Sequence, residues 1–187
     1  MCLGASDRRK SHLAQTEIAR ENIDLDPMSV TQEAFRAALG SFASGVTVVT
    51  TKDVRGKLLG ITVSAFCSVS LEPPMVLICI EKTAGSHYAF EESNVFVVNI
   101  LREGEAVMSE RFASLHEDKF AGLDFQRGID GVPVLSDALA VLECRVKFSY
   151  HGGDHSIFVG EVENVKVDNG DPLLYFRGHY GKFERDN

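Results

Sequence analysis

Residues 61–70 set the strongest constraint on this chain. Ile61, Val63, Ala65, Cys67 and Val69 alternate with Thr62, Ser64, Phe66, Ser68 and Ser70. A period of two places alternate side chains on opposite faces of a strand, whereas a helix would scatter both sets around its circumference. The stretch reads as β structure with an apolar face and a hydroxyl-bearing face. Residues 46–51, 58–71, 75–81, 95–101, 141–150 and 156–167 carry the same signature, being rich in Val, Ile, Thr and Phe. Most of the connections are short: residues 52–57 and 151–154 read as hairpin turns. Strand runs joined in this way, without regular helical crossovers, predict an antiparallel barrel and not a doubly wound sheet.

Helical signals are few. Ser29 followed by Gln32 fits a capping box, and Phe35, Ala38, Leu39 and Phe42 follow at helical spacing, with a stop at residues 40–45. A short helix over 86–92 and a longer one over 103–115 are expected, with an irregular stretch through 118–136. Residues 1–28 are polar and charged, without strand alternation, and read as a flexible N-terminal extension with a short helix near 15–22. One domain, 29–187, then accounts for the rest, in keeping with a length of 187 residues of which 44% are apolar.

Charge and cysteine usage narrow the function classes. The net charge is −8, and no Lys/Arg-rich run occurs. That removes the electrostatic term behind most nucleic-acid binding, while a few local donors can still hold a small anion. Cys2, Cys67, Cys79 and Cys144 show no zinc-ligand spacing, and three of them lie in apolar runs, where a free thiol behaves as a small buried hydrophobe. A reduced, cytoplasmic protein follows. The longest wholly apolar run, residues 75–80, is far short of the ~20 residues of a membrane helix. Charged residues from Arg8 to Glu21 break up any secretory core near the start.

Neither a Gly-x-Gly-x-x-Gly turn nor a P-loop is present, so Rossmann and P-loop chemistry is excluded. No nucleophile signature supports a hydrolase. Three features remain. The hydroxyl row Thr62, Ser64, Ser68 and Ser70 beside Phe66 could donate to a phosphate and to the edge of a ring system. A half-buried strand showing Ser and Thr to water is the commoner explanation of such a row. Ala84-Gly85-Ser86-His87 offers amides and a hydroxyl at a helix start, which suits an anion or simply caps the helix. His151-Gly152-Gly153-Asp154-His155 is a turn with two imidazoles and an acid, a composition that surface turns also adopt for conformational reasons alone.

Taken together, seven segments resemble the flavin reductase-like family, small NAD(P)H:flavin oxidoreductases that serve as reductase components of two-component flavin-dependent monooxygenases. They are residues 35–50, 60–74, 98–101, 111–113, 131–135, 153–155 and 178–180, in family order. The resemblance implies a mainly β fold, a Greek-key split β-barrel with a few flanking helices, forming a homodimer that binds FMN or FAD and accepts hydride from NADH or NADPH. It implies that Thr62, Ser64 and Ala65 lie beside the flavin ring, with Ser68 and Ser86 towards its phosphate. Phe112 and Ala113 would sit at a flavin-proximal helix end, and Tyr180 among the flavin contacts. Asp154 and His155 would receive the nicotinamide nucleotide, with His155 nearest the reacting ring. A flavin-dependent monooxygenase would receive the reduced flavin. Alternatives are a split-barrel flavin oxidase and a flavin-binding module without turnover. Many members have Asn-Ser where this chain has Ser64-Ala65, and Gln where it has Glu105.

Overall fold

The computed structural model describes residues 30–185. Contacts divide the chain at residue 36 into units 1–36 and 37–187. The expected extension, its helix over 15–22 and the Ser29 half of the capping box lie outside the described residues. Helix α1, Gln32–Gly40, takes its cap from Thr31 instead: the Ala34 amide donates to the Thr31 hydroxyl at 3.2 Å.

Twelve strands follow, β1 Ser44–Gly45, β2 Thr47–Lys52, β3 Leu58–Val63, β4 Phe66–Leu71, β5 Pro74–Glu81, β6 Val95–Ile100, β7 Phe125–Arg127, β8 Pro133–Leu135, β9 Ala140–Gly152, β10 His155–Val167, β11 Leu174–Phe176 and β12 His179–Gly181. Helices α2, His87–Glu92, and α3, Ala106–Ala113, interrupt them; α2 falls within one residue of the expected 86–92, and α3 is shorter than the expected 103–115. The stretch expected to be irregular contains the small β7–β8 hairpin. Among the described residues no helix is long and apolar enough to cross a membrane.

Seven strands form one antiparallel sheet in the order β3-β2-β6-β9-β10-β5-β4. Every one of them reaches a single core, which contains Val63, Val49, Phe96, Cys144, Phe158 and Ile78, with Phe66 packed against it. Only a sheet rolled on itself can do that, and its two edges, β3 and β4, are consecutive in the chain. The barrel therefore closes at one covalent corner, Ser64-Ala65. A second layer lies on the opposite face of β2, where Val48 packs with Phe112, Phe120 and Leu101 beneath α3. Asn99 ties this layer together. Fully buried, it donates to the Val48 carbonyl at 3.0 Å and accepts from the Leu135 amide at 2.8 Å, so its polar atoms are satisfied.

The corner corrects the continuous strand expected over 58–71. Thr62 turns towards α3, Ser64 and Ala65 are exposed, and Phe66 turns into the core opposite Ile78. The hydroxyls of Thr62 and Ser68 thus do not share a face. The cysteines differ from expectation in the same region: Cys144 is buried, Cys79 half-buried and Cys67 exposed. Burial pushes the Cys144 thiol up to about 12, helped by Glu143 and Glu163.

Candidate functional site

A cavity of about 430 Å3 opens between the start of β3, the segment after β5, and the end of α3 with the loop that follows. Its size lies within the range of small-molecule sites. The wall exists because residue 60 is glycine. A Cβ there would stand 2.6 Å from the Phe112 ring. The ring instead packs against the bare backbone, fully buried, edge-on to Phe120 with centroids 5.2 Å apart.

Three of the residues singled out in the sequence, Ser86, Phe112 and Ala113, line this cavity. Ser86 is 7% exposed, and its hydroxyl makes no capping bond to α2. Gly85 beside it would meet nothing within 4 Å if it carried a Cβ, which leaves open space for a ligand at the backbone.

Others stand around it. Thr62 donates its hydroxyl to the Ser109 carbonyl of α3 at 2.6 Å, and Tyr180 donates to the Ser109 hydroxyl at 2.9 Å. Both brace the helix whose end forms the cavity wall. Ser64 and Ala65 sit at the exposed barrel corner, and Ser68 is exposed in β4; none of the three lines the cavity.

Asp154 and His155 occupy the tip of the long β9–β10 hairpin, where Gly153 at φ +68 makes the turn. His155 pairs with Glu81, which does line the cavity. The Lys82 amide donates to the Asp154 carbonyl at 2.9 Å, and its ammonium donates to the Gly153 carbonyl at 2.6 Å. The hairpin tip and the segment leading to Ser86 are therefore fastened together. Within the tip, His155 Nδ1 lies 2.8 Å from Asp154 Oδ1. That hydrogen bond holds the Asp154 carboxyl below the usual carboxylate range.

Sequence pattern did not single out Gly60 or Lys119. A glycine inside a strand signals close approach of another group, and that signal was present at Gly60. Lys119 lies in a polar stretch with no periodicity, so nothing in the pattern separates it from a solvated lysine.

The fold and the cavity define an antiparallel β-barrel protein with a ligand cleft walled by aromatic rings, backbone and hydroxyls, next to a histidine-bearing turn. Residues 39–184 match the model of the flavin reductase like domain. A probable flavin reductase of Rhizobium meliloti (strain 1021) is 40% identical over 147 residues, 79% of this chain and 47% of that protein, so the chain spans about half of that relative. The reductase subunit of a flavin-dependent monooxygenase of Rhodococcus jostii (strain RHA1) is 40% identical over 153 residues, 81% of this chain and 78% of that one. Among solved structures, the Streptomyces globisporus C-1027 NADH:FAD oxidoreductase in complex with NAD and FAD fragments is similar, with a TM-score of 0.78 and 36% identity over 82% of this chain and 93% of that one. This chain belongs to the flavin reductase-like family. The cavity fits that family's cofactor, since it combines buried ring surface for an aromatic heterocycle with a free hydroxyl and open backbone for polar groups.

Proposed function

We propose that this chain is an NAD(P)H:flavin oxidoreductase that reduces FMN or FAD and passes the reduced flavin to a monooxygenase partner. The observation that carries the reading is adjacency: the cavity holding Ser86, Phe112 and Ala113 shares Glu81 with the strand pair that presents His155. A flavin nucleotide in the cavity and a nicotinamide nucleotide against the hairpin tip would then be neighbours. The bound flavin supplies the hydride-accepting ring. The chain's own residues bind and orient. Ser86 meets a polar group of the nucleotide, and the Phe112–Ala113 helix end gives the cavity its apolar wall. Thr62 and Tyr180 hold that helix end in place. His155, oriented by Asp154, faces the nicotinamide nucleotide. Ser64, Ala65 and Ser68 contribute to the flavin site from the barrel corner and β4.

In this reading the protein works as a homodimer. The support is an apolar outer face across four strands. A bulge between Val159 and Gly160 shifts the β9 register, so Phe148 pairs with Val159 and Tyr150 with Ile157, next to Leu77 and Cys79 of β5. Phe148 is 50% and Tyr150 54% exposed, and Cys67 of β4, which pairs with Leu77, is exposed on the same face. Apolar area of this extent on one face marks a contact surface. Free thiols at Cys67, Cys79 and Cys144 suit a reducing, cytoplasmic setting.

The test is a spectrophotometric assay of NADH and NADPH oxidation with FMN, FAD or no added flavin. Fast oxidation that depends on free flavin is expected. Binding of flavin without turnover would make the chain a carrier module. Turnover that needs a further small substrate would make it an oxidase.

A further inference from the structure

His87 is a buried imidazole with no part yet in the proposed reaction. Its Nε2 lies 2.9 Å from the Ser156 hydroxyl, which is buried as well. Glu91, one helical turn on, stands farther off at 3.8 Å and is exposed. The ring also packs against Phe158 of the barrel core, with centroids 6.1 Å apart. An apolar side chain would fill that space as well. What histidine adds is a directed bond to one hydroxyl, because a buried polar group needs a partner to offset its lost water.

The bond matters for where it lies. His87 follows Ser86 of the cavity wall, and Ser156 follows His155 of the hairpin. It therefore joins the two regions one residue away from each. The other side-chain fastening between them runs from Lys82, which is exposed, to the Gly153 carbonyl. Among the described residues, the His87–Ser156 pair is the only buried side-chain hydrogen bond made by residues 82–92. The segment needs such a tie, since Ser86 makes no capping bond and α2 has only six residues, and a helix that short is marginal by itself. We propose that His87 is a positioning residue for hydride transfer, which holds, through Ser156, the spacing between the flavin cavity and the nicotinamide-facing hairpin. The inference rests on the flavin-reductase reading. Hydride transfer between two rings is steep in their spacing, and a misplacement of about 1 Å can cost about a hundredfold in rate.

His87→Leu and Ser156→Ala each delete the bond and leave one buried polar group without its partner, so both should melt earlier than the wild-type chain. The double variant removes both groups and should recover most of that stability. Three readouts, taken well below the melting temperatures, separate positioning from packing. One is the affinity for FMN and for tetrahydro-NADH, an analogue that stacks on a flavin ring but has no hydride to give. The second is the long-wavelength charge-transfer absorbance of the two bound together, which reports ring stacking without turnover. The third is the single-turnover rate of FMN reduction by NADH. We expect affinities close to wild type, a weaker charge-transfer band, and a rate about tenfold to a hundredfold lower in both single variants and in the double. His87→Gln, whose amide can reach the same hydroxyl, should keep most of the rate. A double variant that recovers the rate together with the stability would reduce the pair to a packing brace and overturn the proposal. An unchanged rate and band in Ser156→Ala would overturn it too, and that variant serves even if His87→Leu does not fold. A wild-type chain that reduces FMN with NADH and is indifferent to these substitutions overturns this inference alone. A wild-type chain that binds no flavin and oxidises no NADH overturns the flavin-reductase reading, and this inference with it.

Discussion

The Thr62 hydroxyl donates to the Ser109 carbonyl at 2.6 Å, joining strand β3 to helix α3 across the second hydrophobic layer. Its hydrogen is used inside the protein, so Thr62 acts first on the helix that ends in Phe112 and Ala113. Thr62→Val keeps the shape and deletes that bond. It should lower stability by ~1 kcal/mol and the melting temperature by about 2–4 °C for a chain of this size. The further rise in melting temperature on adding FMN should be nearly the same as in the wild-type chain. A normal flavin-free melt combined with a lost FMN-induced rise would instead place the hydroxyl against the ligand.

Two glycines make a second prediction. A Cβ at Gly160 would stand 2.6 Å from the Phe96 ring and 2.9 Å from the Cys144 Cβ in the barrel core, and one at Gly60 would stand 2.6 Å from the Phe112 ring in the cavity wall. Neither has a left-handed φ, so the cost of an added methyl is steric in both. Overpacking typically costs ~1–3 kcal/mol. Gly160→Ala should therefore unfold at lower urea with flavin affinity unchanged once folded. Gly60→Ala should lose both, because moving Phe112 reshapes the cavity. Urea unfolding and flavin titration on the two variants check the difference.

The outer sheet face gives the third. Tyr150→Glu combined with Phe148→Glu places charges where the homodimer reading needs apolar contact, and both side chains are about half exposed. Sedimentation should move from a dimer to the 20.5 kDa monomer, with a loss of flavin reduction in step. A wild-type chain that sediments as a monomer and still reduces flavin at full rate would remove the dimer from the reading.

Element type was legible in the sequence wherever one periodicity ran unbroken. Residues 95–101 give β6 and residues 75–81 give β5 almost to the residue. Alternation failed where the backbone turns or bulges. The Ser64-Ala65 corner and the inserted residues Val69 in β4 and Lys147 in β9 each swap the faces of the residues C-terminal to them, and hydrophobicity alone carries no mark of an inserted residue. That is why Cys67 reads as buried and is exposed. The site divides in the same way. Phe112 and Ala113 came through a family segment and Ser86 through the helix start at residues 84–87, and the three meet in one cavity. Lys119 bridges the Phe112 and Gly60 carbonyls, a contact that no local pattern encodes.

The last prediction concerns the pair at the hairpin tip. His155 Nδ1 is engaged by Asp154 Oδ1 at 2.8 Å, which orients the ring and leaves Nε2 for a ligand. His155→Ala should raise the Michaelis constant for NADH several-fold while flavin affinity and turnover number stay close to wild type, because hydride transfer needs no proton from this side chain. Asp154→Asn, which keeps a hydrogen-bond acceptor but removes the charge, should give a smaller change in the same direction. A fall in turnover number with an unchanged Michaelis constant would assign His155 to the transition state, and unchanged kinetics would make it an ordinary turn residue. The pair also carries a pH signature. The Asp154 carboxyl is lowered by its bond to His155, so the stability that it contributes is fully present above the ordinary value of ~3.9 and is lost as pH falls through the lower folded value. Nuclear magnetic resonance of the carboxyl carbon should show a midpoint below the ordinary value in the wild-type chain and a return towards it in His155→Ala. A wild-type midpoint at or above the ordinary value would mean that the two side chains do not pair in solution.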